Sequence, residues 1–305
     1  MLQIPEDYWR DIAISPQILN RKALEDIKAL SDPHLQGRRA GTAGETLALV
    51  YLEGQAKDLH LFAFGENKNY WQMFSIPSMA EKIINNRALF RPDETDHLLN
   101  PAANMLAGIV GKNPEKTVII SAHYDHLGVY MGKLYPGAND NASGVGCVLE
   151  VMRRLVADAL GGYRPEINIV AAFWGAEEMG FLGSEHFVKK PTIPLSNIHA
   201  VINCDTVANG QKDDFSLWAD QDNFLVKAMQ KAAGNYGVDI KNVSGEGHHS
   251  DEISFAAAGV PAVTLLSKEW LDKNHTPKDD LSLINSDKLD FACQLVYDLI
   301  KQLAN

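Results

Sequence analysis

The sequence predicts an α/β fold in which a mixed, mainly parallel central sheet is covered by helices on both faces. Two observations carry that expectation. Short segments rich in β-branched and aromatic residues alternate with segments of helical apolar spacing, the pattern of a sheet built from strand-helix-strand units. One of the strands, "INIVAAFW" (167–174), is apolar along nearly its whole length, as a strand buried on both faces must be.

Taken in order, the first 60 or so residues read as helical decoration, with an apolar stripe over 43–58. "NMLAGIVG" (104–111) and "TVIISAH" (117–123) follow as strands. Val148, Val151, Met152, Leu155 and Val156 then repeat at i, i+3, i+4, i+7 and i+8, which predicts a helix, and Ser143 is placed to cap it. After the 167–174 strand come "AVINC" (200–204) and "FSLW" (215–218), a helical stripe over 222–234, the strand "AVTLL" (262–266) and a last helix over 287–303.

With 305 residues, 46% of them hydrophobic, the chain can bury one large core, and no linker, charge block or repeat divides it. A single domain over 1–305 is therefore expected. The formal charge of −11 argues against nucleic acid and anionic membrane surfaces as partners. No apolar run approaches the roughly 20 residues of a membrane span. The start "MLQIPEDYWRDI" lacks signal-peptide character, so the chain is cytoplasmic, or else a signal was removed ahead of this numbering. Cys147, Cys204 and Cys293 are widely spaced and read as buried free thiols.

Sites in parallel sheets form outside the carboxyl ends of the strands. His123 and Asp125 follow the 117–123 strand in "HYDH", and Asp140 precedes the helix in "GANDNASG". Glu177 and Glu178 follow "INIVAAFW", Asp205 follows "AVINC", and His275 lies in "NHTPKDD" after "AVTLL". Each alone has an ordinary explanation: a capping Asp, a turn Asp, a solvated loop His, or an acidic first helical turn. Their joint placement at one sheet edge does not. Two histidines and several carboxylates without a thiolate suit zinc, and a pair of metals needs one bridging carboxylate.

In this order and spacing, "HYDH", "NDNASG", "AEEMGFLGS", "NCD" and "HTPKDD" resemble the signature blocks of the co-catalytic zinc aminopeptidases, metallopeptidase family 28. "LSDPHLQGRRAGTAGE" (30–45) is similar to the segment ahead of the catalytic domain in many members. The resemblance implies a zinc-exopeptidase fold and two zinc ions per chain. His123 and Asp205 would hold the first, Glu178 and His275 the second, and Asp140 would bridge both. Asp125 would orient the His123 imidazole, and Glu177 would act as general base. A cis peptide after Asp140 is implied as well.

The implied activity is removal of N-terminal residues from peptides with a free α-amine, in a secreted or periplasmic setting if a signal was removed. Glutaminyl cyclases and carboxypeptidase-like zinc enzymes share the fold and stand as alternatives, as does a non-catalytic binding module. Residues 60–103 are too few for the extra domain some members insert. One block departs from the pattern: "GHHSDEISFAAAGVPA" (247–262) has Glu252 where Tyr or His is usual, which leaves His248 or His249 as candidate oxyanion partners. Tyr130, Tyr135, Trp218 and Trp270 are candidate pocket-lining residues, although each such residue is more often simple packing. The glycosylation triplets at Asn141, Asn242 and Asn274 read as coincidental.

Overall fold

A computed structural model describes residues 8–85, 87–93, 98–220, 223–244 and 248–305; the expectations touching residues 1–7, Asp222 and Gly247 lie outside these. The N-terminal segment forms α1 (Pro16–Leu19), α2 (Ala23–Leu30) and α3 (Ala43–Asp58). Five strands follow, β1 (Phe62–Ala63), β2 (Trp71–Pro77), β3 (Met79–Ile84), β4 (Arg87–Pro92) and β5 (Leu99–Ile109), of which sequence periodicity located only the end of the last. Then come β6 (Asn113–His123), the short strands β7 (Gly128–Tyr130) and β8 (Lys133–Tyr135), and α4 (Ala142–Leu160). The remainder is β9 (Ile167–Trp174), α5 (Leu182–Lys189), β10 (Ile198–Cys204), β11 (Phe215–Trp218) and α6 (Phe224–Gly234). β12 (Lys241–Asn242), α7 (Glu252–Ala257), β13 (Ala262–Ser267) and α8 (Ser286–Leu303) complete it.

The nine-stranded sheet runs β1-β5-β9-β6-β10-β13-β11-β12, with β2 also paired to β5. Its centre, β9-β6-β10-β13, is parallel throughout, while β5 and β11 pair antiparallel with that centre on either side. The parallel centre therefore presents four carboxyl ends along one edge. Two separate ribbons, β3-β4 and β7-β8, lie off the sheet. Alternation along β6 sends Val118, Ile120 and Ala122 to one face and Ile119 to the other, and both faces are buried. The first face packs against α2, α3, α4 and α8; the second packs Phe187 of α5 and Phe255 of α7 against Trp174.

The cap of α4 differs from expectation. Asn141, not Ser143, is the N-cap, and its Oδ1 accepts from the Gly144 amide at 2.9 Å. Ser143 is the second residue of the helix and uses its hydroxyl to donate to the Asn139 carbonyl and to accept from the Val207 amide. Gly144 is needed there because a Cβ would meet the Cys204 carbonyl oxygen at 2.2 Å. Among the described residues no helix is long and apolar enough to cross a membrane.

Candidate metal centre

The four parallel strand ends deliver the site. His123 is the last residue of β6, and Glu177 and Glu178 lie three and four residues beyond β9. Asp205 directly follows β10, and His275 comes off the long loop after β13. Asp140 stands between β8 and α4, and the Asp140–Asn141 peptide is cis, as the resemblance implied. Ala176, Thr206 and His275 have φ of 56°, 49° and 58°. Left-handed backbone costs an L-residue about 1–2 kcal/mol, so the surrounding contacts must over-determine these turns.

The side chains converge as two groups sharing one carboxylate. On one side, His123 Nε2 lies 3.3 Å from Asp140 Oδ1 and 3.5 Å from Asp205 Oδ1. On the other, His275 Nε2 lies 3.2 Å from Asp140 Oδ2 and 3.0 Å from Glu178 Oε2. The two oxygens of Asp140 thus face different imidazoles. Asp205 Oδ1, Asp125 Oδ2 and His126 Nε2 are buried without a hydrogen-bond partner among the described residues. Buried polar atoms left in this way lack a counterpart that a cation would supply to the oxygens.

The adjacent glutamates have opposite environments. Glu178 is 3% exposed at its side chain and Glu177 is 12%. Burial would raise Glu178, but His275 and the hydrogen bond from His126 hold it down to about 2. Glu177 is pushed well above the ordinary carboxylate range by burial and by Glu178, Asp251 and Asp205, against the opposing pull of His123. The two neighbouring acids therefore sit in different electrostatic surroundings. Burial lowers His123 and His275, yet the surrounding carboxylates outweigh it and raise both imidazoles well above their usual value; Asp140 is correspondingly held low.

Supporting contacts fix the geometry. The Asp125 backbone carbonyl lies 3.3 Å from His123 Nδ1, closer than its carboxylate at 3.7 Å, and Asp125 Oδ1 accepts from the Glu177 amide at 3.0 Å. Asp125 therefore ties the first imidazole to the glutamate turn. Asp279 accepts from the amides of Asn139 and Asp140 at 2.8 and 3.0 Å, and burial pushes it up to about 6. Asn274 donates to Asp140 Oδ2 at 2.5 Å, and His275 Nδ1 faces the Ala88 carbonyl at 2.9 Å. Arg38, fully buried and lowered by burial to about 10, donates to the carbonyls of Leu30, Tyr124, Pro136 and Gly137. It joins the N-terminal helices to the segments carrying His123 and Asp140.

All seven residues singled out from the sequence meet here: His123, Asp125, Asp140, Glu177, Glu178, Asp205 and His275. Sequence reasoning missed His126, whose Nδ1 is 2.7 Å from Glu178 Oε1 and which groups with Asp140 and Glu178 as a possible donor set. The final His of "HYDH" was its signal, as the final Asp pair of "HTPKDD" was for Asp279. A cavity of about 230 Å³ opens beside the centre, and Trp218, Trp270, Phe181 and His249 help to line it. Tyr130 and Tyr135 do not; they belong to a separate apolar cluster with Phe74 and Leu127, because the β7-β8 ribbon packs back against residues 33–38. His248 stacks on Trp218, with ring centroids 6.3 Å apart, and Glu252 is buried, accepting from the Ser250 amide and the Thr264 hydroxyl. Asn141 and Asn274 are buried within the site, so neither glycosylation triplet presents an accessible acceptor.

An α/β sheet with a mixed imidazole and carboxylate cluster at its parallel strand ends defines a metal-binding protein of the hydrolase type of architecture. The pattern of peptidase family M28 matches residues 104–300, and the chain belongs to that family. Aminopeptidase YwaD of Bacillus subtilis (strain 168) is 28% identical over 253 residues, covering 74% of this chain and 52% of its own length. The chain spans about half the length of the curated relatives it matches. Among solved structures, BSAP, a zinc aminopeptidase from Bacillus subtilis, superposes with a TM-score of 0.73 at 18% identity over 93% of this chain and 94% of its own. A glutaminyl cyclase from Porphyromonas gingivalis gives 0.70 at 18% identity over 92% and 97%. These likenesses show the fold.

Proposed function

We propose that the chain is a zinc-dependent aminopeptidase that holds two metal ions and uses Glu177 as general base. The observation that carries this reading is Asp140, whose two oxygens face His123 and His275 from opposite sides at 3.3 and 3.2 Å. His123, Asp205 and one Asp140 oxygen form one donor set; His275, Glu178 and the other oxygen form the second. Nitrogen and oxygen donors without thiolate fit zinc, and the buried, unpartnered Asp205 Oδ1 is the atom most in need of it. When bound, zinc supplies Lewis acidity and a water that is nucleophilic near neutral pH.

The chain's own residues do the rest. Glu177, whose amide is pinned to Asp125 and whose Oε2 lies 3.9 Å from His123 Nε2, takes a proton from the attacking water and returns it to the leaving amine. Trp218, Trp270 and Phe181 line the cavity with apolar surface for the side chain of the residue to be removed. Peptides with a free N-terminus are the proposed substrates.

The test combines metal analysis with free and N-blocked aminoacyl amides and a peptide beginning with Gln. Two metals per chain and cleavage of the free amides alone are expected. Equal cleavage of blocked substrates would sink the aminopeptidase reading. One metal with pyroglutamate formation would replace it by a cyclase.

A further inference from the structure

Arg87, the first residue of β4, lines the same cavity as Asp140, Glu178 and His275. Among the described lining residues it is the one arginine or lysine; the other ionisable groups there are carboxylates and imidazoles. Its Nη2 donates to Asn274 Oδ1, its guanidinium stands 5.9 Å from the Trp270 ring centre, and its Nε is buried with no hydrogen-bond partner among the described residues. The planar fork therefore keeps donors free, and such a fork matches a carboxylate with two parallel hydrogen bonds.

The ribbon that carries Arg87 is held in place. The Ala88 amide donates to the His275 carbonyl at 3.1 Å. Arg39 ion-pairs with Glu81, donates to the Met79 carbonyl at 2.9 Å and sits 4.7 Å over the Phe90 ring. Little ordering is left to be done at binding. With the acids of the centre committed to metal, Arg87 is the cationic side chain a substrate would meet beside it.

We propose that Arg87 binds a substrate carboxylate, so that the enzyme favours peptides carrying one within about a residue of the scissile bond, each extended residue spanning about 3.5 Å. The inference rests on the aminopeptidase reading. The carboxylate has two possible sources: the C-terminus of a dipeptide, or an acidic side chain at the second residue. The competing account makes Arg87 a support for Asn274, which donates to Asp140.

Zinc-loaded Glu177→Gln protein, followed by calorimetry or by the tryptophan fluorescence of the cavity, separates these. Its ligands are Leu-Gly, Leu-Gly amide and Leu-Glu amide. Leu-Gly or Leu-Glu amide should bind at least about tenfold more tightly than Leu-Gly amide, as a charge-assisted pair requires. A gain for Leu-Gly identifies the C-terminus; a gain for Leu-Glu amide identifies the side chain. Adding Arg87→Gln should erase the difference, and Arg87→Lys should keep part of it. Equal binding of all three ligands overturns the proposal without any further variant, as does a difference that survives Arg87→Gln. Weakening of acid and amide ligands by one common factor assigns Arg87 to Asn274 instead. Hydrolysis of all three ligands by the unsubstituted enzyme is followed in parallel. Failure to cleave Leu-Gly, Leu-Gly amide and Leu-Glu amide alike refutes the aminopeptidase reading, whereas the binding ratio reports on Arg87 in either case.

Discussion

His123 and Asp205 leave their strands at or directly after the last sheet residue, whereas Glu178 follows β9 by four residues and His275 follows β13 by eight. The half of the centre around His123 is thus placed by the sheet ladder itself. The half around His275 hangs on loops and borrows its rigidity from elsewhere: from Ala88 on the β3-β4 ribbon, from His126, and from Asn274. At the base of its loop, the Lys268 amide and the Lys288 ammonium both donate to the Asp214 carbonyl. A sheet edge can hold two donors in register at little cost, but a second donor set needs contacts gathered from distant segments.

Glu177 lies between these halves and, on the reading above, serves both without binding metal. Glu177→Gln should lower kcat by about 10²–10⁴-fold while metal content stays unchanged. Metal loss in this variant would make Glu177 a ligand and redraw the division. Arg38 joins the sheet half to the Asp140 segment, and Arg38→Met withdraws its donors from four carbonyls, of which Gly137 keeps the Ala142 amide. We expect about 3–5 kcal/mol of lost stability in urea denaturation. A loss below about 1 kcal/mol would mean that the two segments hold their places without it.

The contrast between halves also predicts order of release. A chelator titration of the loaded protein should remove metal in two steps, the loop half first, with Glu178→Gln abolishing the weaker step. Asp279→Asn, which weakens the grip on the Asp140 amide, should lower affinity by about 10–100-fold. A single joint step would erase the distinction between sheet-held and loop-held donors.

The smallest effect concerns the base of the long loop. Burial, despite the pull of Asp214, lowers Lys288 to about 8, so between about pH 8 and 10.5 the unfolded chain binds the proton that the folded chain has lost. Stability from this group is therefore poorest below about pH 8 and rises through that window. Denaturation at pH 7.5 and 9.5 should show a relative gain of roughly 1–2 kcal/mol that Lys288→Met lacks. An identical pH response in both proteins would remove Lys288 from the account.

The sequence by itself determined where each polar residue leaves the sheet. β-Branched runs fix the strands, parallel strands share a carboxyl edge, and the next residues along the chain must appear there, which is why His123, Glu177, Glu178 and Asp205 were legible from spacing. Asp140 was legible because it precedes an amphipathic helix. The strands of 62–92 were not: β1 is only two residues long, and in β2 polar Gln72 is buried while Met73 is exposed, so polarity does not alternate with burial. Nor was the choice of Asn141 as helix cap, because Asn141 and Ser143 are both good caps and only the fold engages the Ser143 hydroxyl elsewhere, with the Val207 amide. Tertiary structure alone brought Arg87 to Asn274, 187 residues away, set Ala88 behind His275 and turned His126 toward Glu178. A local pattern sets the direction in which a side chain departs; its partner across the chain is settled only when the packed layers close.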